Sequence, residues 1–344
     1  MGLLFHRVKA GRHPTEPLTA SAWCTKGYSL AALGRFEEAV EAYDRAIERE
    51  PDYADAWAGR GNSLATLGLR QEAVASFDRA IALKPDDTMA WYGKGVSLAA
   101  LGRFEEAMAA YDRTVALKPD YTDAWVGRGT TLAALGRFEE AVIAYDHAIA
   151  LKPDDTVAWH GRGAVIATLG LREEAVASFD RAIALKPDDT MAWYGKGVAL
   201  ATLGLREEAV ASFDRAIALK PDYTEAWAGR GISLTRLGRH TEAVASFDRA
   251  IALKPDYPEV WYTKGYSLAK LGQQEEAVTA YNRAIALKPE YADSWFHKGF
   301  ALNKLGRNQE AITSFKNFLA CAPPEYAYQG KEVEQIISML APFA

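Results

Sequence analysis

The sequence predicts an all-α solenoid of antiparallel helix pairs closed by a C-terminal capping helix, and three observations carry that prediction. The nine tryptophans stand at Trp23, Trp57, Trp91, Trp125, Trp159, Trp193, Trp227, Trp261 and Trp295, so the step from 23 to 57 recurs throughout as a period of 34. Glycines keep the same beat from Gly27, from Gly34 and, in six repeats, from Gly59, as do prolines from Pro51, and only Gly2, Gly11 and Gly330 fall outside the pattern. Within one period the apolar residues follow a helical spacing twice. A fixed period of this length means a stacked array of one unit, not a few independent globular domains.

The third repeat shows how each element arises. Over residues 88–102, with Trp91 at 0° on a helical wheel, Gly95, Leu98 and Leu101 lie at about 40°, −20° and −80°, a single apolar stripe. Gly102 supplies the expected stop. From Phe104 a second helix begins, with Glu105 and Glu106 in its first turn to suit the helix dipole, and Ala107, Met108, Tyr111, Thr114 and Val115 on one face. Pro119 ends it, and Asp120 is expected to cap the helix that follows. Such a hairpin cannot bury both apolar faces alone and must stack on its neighbours.

Trp91, Gly95, Gly102, Phe104, Ala107, Tyr111 and Pro119 together resemble the tetratricopeptide repeat pattern of Trp, Gly, aromatic, Ala, aromatic and Pro. The resemblance covers residues 20–323 as nine consecutive repeats, starting near 20, 54, 88, 122, 156, 190, 224, 258 and 292. It implies a right-handed superhelix in which the first helix of each pair lines a concave groove that binds protein. Residues 72–96 are identical to residues 174–198, an offset of three periods, so a three-repeat block recurs within the array.

The ends differ from the middle. Residues 1–19 carry Pro14 and Pro17 without periodicity and are expected to form a disordered lead-in. Phe318 stands where other repeats have Ala46 or Ala80. In the remaining segment, 324–344, Val333, Ile336, Ile337 and Leu340 share a face, as a helix covering the last stacking surface requires.

Composition narrows the function. With 40 Lys and Arg against 45 Asp and Glu, the formal charge is −5, which gives no general basic surface for nucleic acid or an acidic membrane. Only Cys24 and Cys321 are present, at opposite ends, so a disulfide framework is not expected. The opening Met1-Gly2-Leu3-Leu4-Phe5-His6 is too short an apolar run for a signal peptide, and no stretch approaches the length of a membrane span. A cytoplasmic protein is expected.

No catalytic, cofactor or metal site is expected: His6 and His13 lie in the lead-in, and the other four histidines are single substitutions within repeats. The Gly93-Lys94-Gly95 pattern lies mid-helix and away from any strand, which argues against a phosphate loop. The tryptophan column reads as structural core facing the second helix rather than as a base-stacking platform.

Three residues after each Trp stands a cation: Lys26, Arg60, Lys94, Arg128, Arg162, Lys196, Arg230, Lys264 and Lys298. The tetratricopeptide pattern usually has Leu there. A buried unpaired ammonium is not tolerable, so these residues are expected to pair with Asp44, Asp78, Asp112, Asp146, Asp180, Asp214 and Asp248 in the same or the adjacent repeat.

The wheel also maps a binding surface. Positions two before, and two, five and nine after, each Trp lie opposite the core. Gly at the second of these in six repeats is expected to leave a bare backbone floor. The expected lining is apolar: Met89, Val96, Val126, Thr130, Val157, Ala164, Met191 and Val198, with Tyr92, His160 and Tyr194 at the rim and Tyr262 and Phe296 adding aromatic surface further on. Asn62 is the only groove asparagine before Asn303, so neither the carboxylate clamp nor the asparagine ladder of other family members is matched. Nine residues after Trp, the first six repeats carry Ala or Thr while the last three carry Arg236, Lys270 and Lys304, with Asn303 and His297 nearby. These three are the candidate ladder for an acidic segment, although cations also suit a helix's last turn.

The function expected is a non-catalytic scaffold that binds another protein or peptide in the groove, without nucleic acid or membrane as partner. A self-assembling structural module is the second reading. The third, from the family's frequent fusions, is a regulatory part acting with a transferase.

Overall fold

The computed structural model describes residues 18–343. The lead-in expected over residues 1–19 therefore lies outside the described residues except for Leu18 and Thr19, and Thr19 caps the first helix by accepting from the Ala22 amide at 3.2 Å. The chain divides into two compact units, one ending at Lys152 and the other beginning at Pro153.

The first unit holds four helix pairs: α1 (Ala20–Ala32) with α2 (Phe36–Arg49), α3 (Ala54–Thr66) with α4 (Arg70–Leu83), α5 (Thr88–Ala100) with α6 (Phe104–Leu117), and α7 (Thr122–Ala134) with α8 (Phe138–Leu151). The second holds five: α9 (Thr156–Thr168) with α10 (Arg172–Leu185), α11 (Thr190–Leu203) with α12 (Arg206–Leu219), α13 (Thr224–Arg236) with α14 (His240–Leu253), α15 (Pro258–Lys270) with α16 (Gln274–Leu287), and α17 (Ala292–Lys304) with α18 (Asn308–Cys321). A last helix, α19 (Ala327–Leu340), packs on α18. Inside each unit the first helices of successive pairs touch one another, whereas the second helices do not. The first helices thus form the tighter, inner row.

Each turn between paired helices is made by a glycine in the left-handed region, as at Gly102 with φ +75°. There the Gly102 amide donates to Ala99 O and the Arg103 amide to Leu98 O, both at 3.0 Å, which satisfies two carbonyls that the helix end would leave bare. At the other end of the hairpin the loop sequence decides the cap. Asp87 and Asp189 each accept from the amides two and three residues on, at 3.0 to 3.1 Å. Asp120 does not act this way. Tyr121 occupies the cap position and makes no side-chain cap, so Asp120 stands one residue too far out.

The core differs from expectation in which aromatic fills it. The tryptophans are only partly buried. In eight repeats the indole N–H instead donates to the carbonyl of the proline six residues before it, as from Trp91 to Pro85 at 3.0 Å, and so ties the first helix to the preceding loop. The buried ring belongs to the second helix: Phe77 and Tyr281 are 0% exposed and Phe213 is 1% exposed.

Five of these rings, Tyr43, Phe77, Tyr111, Phe179 and Phe213, each lie between two glycines. A Cβ on Gly61, in the same repeat, would lie 2.8 Å from Phe77 Cε1, and one on Gly93, in the next repeat, 2.5 Å from Phe77 Cζ. Phe213 lies in the same way between Gly197 and Gly229. The glycine two after Trp is therefore the slot for the preceding repeat's ring, not a bare groove floor. The wheel placed it opposite the core because it took account of one hairpin and not of its neighbour.

The end is closed as expected. Phe318 is 0% exposed and packs its ring 5.1 Å from Phe296 and 5.8 Å from Tyr326. Val333 is fully buried, with Ile336, Ile337 and Leu340 packed around the same cluster.

Candidate functional site

The cations three after Trp are accounted for by the stacking. Arg60 pairs with Asp44 at 2.7 Å, Lys94 with Asp78 at 2.6 Å and Arg128 with Asp112 at 2.8 Å; in the second unit Lys196 pairs with Asp180 at 2.5 Å, Arg230 with Asp214 at 2.6 Å and Lys264 with Asp248 at 2.5 Å. In every case the partner lies on the second helix of the preceding repeat. Arg60 and Arg230 also donate to Ser76 and Ser246 of their own repeats, stapling three helices. The ends of the array depart from this rule. Lys26, in the first described repeat, lies 4.7 Å over the Trp23 ring. Lys298 meets Asn282 at the aspartate position; burial pushes its ammonium pKa down and it lies 4.9 Å over Trp295.

The inner row presents the candidate groove. Met89 is 55% exposed in the first unit, and Val157 63% and Met191 50% in the second. Val96, Thr130, Ala164 and Val198 are also exposed on these helices. Val126 directly follows its Trp and is half-buried, so it belongs with the rim residues.

Those rim residues are supports as much as surface. Tyr92 packs 6.1 Å from Tyr111 and 4.9 Å from Tyr121, and burial pushes its hydroxyl up to about 12. The Tyr121 hydroxyl donates to Met89 Sδ at 3.5 Å. The same assembly recurs at Tyr194, 5.9 Å from Phe213 and 4.9 Å from Tyr223, whose hydroxyl donates to Met191 Sδ at 3.3 Å. Met89 and Met191 are thus each held by a tyrosine of the following loop, a contact that restrains a side chain otherwise noted for its freedom.

His160 packs edge-on against Phe179 at 5.9 Å, with Nδ1 3.8 Å from Asp189 Oδ2. His160, Met191, Tyr194 and Val198 line an open pocket of about 370 Å³. Tyr262 and Phe296 lie deeper than a rim residue should, packed against the terminal core cluster.

Arg236, Lys270 and Lys304 are the last residues of α13, α15 and α17, and all three are exposed. Unlike the cations of the stacking ladder, none has a carboxylate within ion-pair distance among the described residues; Lys270 lies 5.2 Å over the Tyr266 ring. Arg236, Tyr262 and Tyr266 line a pocket of about 380 Å³. Lys270 and Lys304 share a smaller one, of about 110 Å³, with Tyr266, Gln274, Tyr281 and His297. The sequence reading did not single out Tyr266, Gln274 or Tyr281. Tyr266 was accessible to it, since it occupies the position five after Trp, where the middle repeats have Val, Thr or Ala.

No group of three or more metal-ligating side chains occurs among the described residues, and no helix among them is long and apolar enough to cross a membrane.

A tetratricopeptide repeat family model matches residues 24–88, 60–122, 92–156, 167–224 and 204–258. The chain belongs to the tetratricopeptide repeat family. Further models of the same repeat match residues 246–279, 265–306 and 292–323. A tetratricopeptide repeat protein from Parabacteroides merdae is similar in structure, with a TM-score of 0.55 at 17% identity over 72% of this chain and 98% of that one. The APC/C hetero-tetramer Cut9–Hcn1 gives a TM-score of 0.54 at 15% identity, over 95% of this chain and 78% of that one. Both show the helical-repeat fold. YrrB, a tetratricopeptide repeat protein with an unusual peptide-binding site, is 27% identical over 54% of this chain and 96% of that one, with a TM-score of 0.48. No curated protein matches the chain at a significant level. As a tetratricopeptide repeat chain, the protein is an interaction module.

Proposed function

We propose that this tetratricopeptide repeat chain is a non-catalytic scaffold that holds a segment of another protein against its first helices. The observation that carries this reading is the exposed apolar row pinned from beneath, with Met191 at 50% and Val157 at 63% exposure beside a pocket of about 370 Å³. Apolar surface of this kind, rimmed by polar residues, marks an interaction site. Because Tyr223 restrains Met191 and Tyr194 is half-buried, the surface is preorganised and little side-chain entropy is lost on binding. In the second unit the segment is apolar where it meets Met191 and Val198 and acidic where it meets Arg236, Lys270 and Lys304. The first unit offers a matching apolar face at Met89 and Tyr92.

The ion-pair ladder disfavours the self-assembly reading. End-to-end stacking would bring Lys26 of one copy to the aspartate position of the last repeat of another, and that position holds Lys316.

The test is a displayed random-peptide library selected against the full chain, with winners measured as synthetic peptides. Enriched peptides combine apolar and acidic residues. Val157→Glu with Met191→Glu abolishes their binding, and Arg236→Ala with Lys270→Ala and Lys304→Ala flattens its salt dependence. Winners that bind both variants like the parent chain would move the binding surface elsewhere.

A further inference from the structure

The small pocket between the last two repeats is built differently from every other part of the array. Gly59, Gly93, Gly127, Gly195 and Gly229, each two after Trp, rest on the preceding repeat's ring; the ninth repeat has His297 there, lying nearly parallel to the Tyr281 ring with centroids 6.2 Å apart and 20° between planes. Tyr281 is 0% exposed, and its hydroxyl has no hydrogen-bond partner among the described residues. In the first unit the equivalent Tyr145 hydroxyl is bonded to Thr130 at 3.0 Å, and in five repeats a phenylalanine removes the hydroxyl altogether.

An unmade hydrogen bond at a fully buried hydroxyl is costly. Gln274 donates to Ala269 O at 3.0 Å while its own Oε1 is buried without a partner. Tyr281 and Gln274 line the same cavity of about 110 Å³ as Lys270 and Lys304, and no acid lines it. The nearby acid, Asp293, already accepts from the Tyr326 hydroxyl at 2.9 Å. With a water occupying roughly 30 Å³ of liquid, the cavity has room for one planar acid group and a bridging water.

We propose that this pocket binds a single carboxylate, clasped by the Lys270 and Lys304 ammonium groups and by the buried Tyr281 hydroxyl as a third donor. Gln274 Oε1 accepts from an ammonium or from the bridging water. The proposal rests on the reading of an acidic ligand at this end of the chain and deepens it, from three exposed cations to one shared pocket. Two donors of the carboxylate share this chemistry, a free small carboxylic acid and a Glu or Asp side chain of a bound segment.

The test uses the full chain and four probes at matched ionic strength: acetate, succinate, a capped peptide carrying one Glu among alanines, and chloride. The His297 ring resonances, which lie against Tyr281, report occupancy by NMR. The carboxylates shift them saturably and chloride does not. Lys270→Ala with Lys304→Ala weakens the response at least about tenfold, as loss of charge-assisted hydrogen bonds does. Tyr281→Phe, which keeps the ring, weakens it several-fold and raises the melting temperature of the ligand-free chain by removing the orphaned hydroxyl. A peptide that binds more tightly than acetate assigns the site to a partner's side chain, and equal binding assigns it to a free acid.

A response that chloride reproduces, or that survives in the double lysine variant, overturns the proposal. So does a Tyr281→Phe chain that is less stable than its parent, since the hydroxyl would then already be satisfied by enclosed water. Because Val157 and Met191 belong to other repeats, library peptides that still bind there while the pocket stays silent would sink the carboxylate site alone.

Discussion

Replacing Gly93 by Ala separates two accounts of the repeat by the sign of the result. At an exposed position inside a helix, Gly→Ala stabilises by about 0.5–1 kcal/mol, because glycine loses more backbone entropy on folding. Had Gly93 been an open groove floor, that gain would appear in full. Instead, a Cβ there would lie 2.5 Å from Phe77 Cζ, well inside the roughly 3.5–4.0 Å at which carbon atoms are comfortable. The ring cannot retreat by that amount. It is 0% exposed, and Gly61 on its other side lies so close that a Cβ there would be 2.8 Å from Cε1. Overpacking of this kind costs about 1–3 kcal/mol, so the net effect is a loss of about 1–2 kcal/mol. Urea unfolding of the full chain, with hydrogen exchange read in α4 and α5, locates the loss at this joint, since repeats in an array open locally. Shrinking the ring with Phe77→Leu in the same chain makes Gly93→Ala less harmful, and the double-mutant cycle reports that coupling directly. Gly102→Ala is the control: its cost comes from φ +75° with nothing nearby, and Phe77→Leu leaves that cost unchanged. A Gly93→Ala chain more stable than its parent by half a kcal/mol or more would refute the ring-slot account.

Breaking one rung of the ion-pair ladder has a smaller effect. Asp78 is 52% exposed, so Lys94→Met loses less than about 1 kcal/mol, and a cycle with Asp78→Asn that returns a coupling above about 2 kcal/mol would contradict the geometry. His297 gives the last repeat a pH dependence. Burial and the nearby Lys270 lower its pKa from 6.5, against the pull of Asp293. The unfolded chain therefore binds the proton first as pH falls, so the stability tied to a neutral His297 is complete above about 6.5 and is lost below it. Hydrogen exchange in α17 and α18 accelerates over that range, and His297→Gln removes the step. Val333→Asp places a charge at a position 0% exposed and detaches α19; proteolysis at the α18–α19 junction increases, with loss of solubility as Phe318 is uncovered.

Residues that act within one hairpin were legible in the sequence, and those that act across a joint were less so. The positive-φ glycines, the loop prolines and the two helical stripes are local consequences of backbone geometry and periodicity, and a wheel recovers them. The ladder of cations was legible for a different reason: nine charges at one register demand partners, and an aspartate recurs at one register of the second helix in seven repeats. Whether those partners lay in the same or the preceding repeat was not legible, because that depends on how one hairpin meets the next. The slot at Gly93 was misread on the same ground. Its neighbour, Phe77, is 16 residues away, and no single-helix projection brings the two together. Tyr92 and Tyr194 were read as rim surface, and their burial against Tyr121 and Tyr223 again comes from the next repeat's loop.

Several departures from the repeat pattern gather in the last two repeats. Thr263 and His297 replace the glycine two after Trp, Asn282 replaces the ladder aspartate, and Lys270 and Lys304 replace small residues at the ends of their helices. Each alone lowers the quality of the stacking: a glycine slot is filled, an ion pair is lost, and exposed charge is added without a partner. A joint optimised only for stacking would have the arrangement seen at Phe213, where Gly197 and Gly229 close on the ring and Lys196 and Arg230 are each paired. At the last joint His297, Lys270 and Lys304 line a cavity together with Tyr281, whose hydroxyl has no partner among the described residues, and Gln274, whose amide oxygen has none either. Random loosening of a stacking interface would produce a void lined by apolar atoms, which stays dry and asks for nothing. Donors and positive charge gathered around a cavity favour an anion, and that difference is the ground for the proposed carboxylate site.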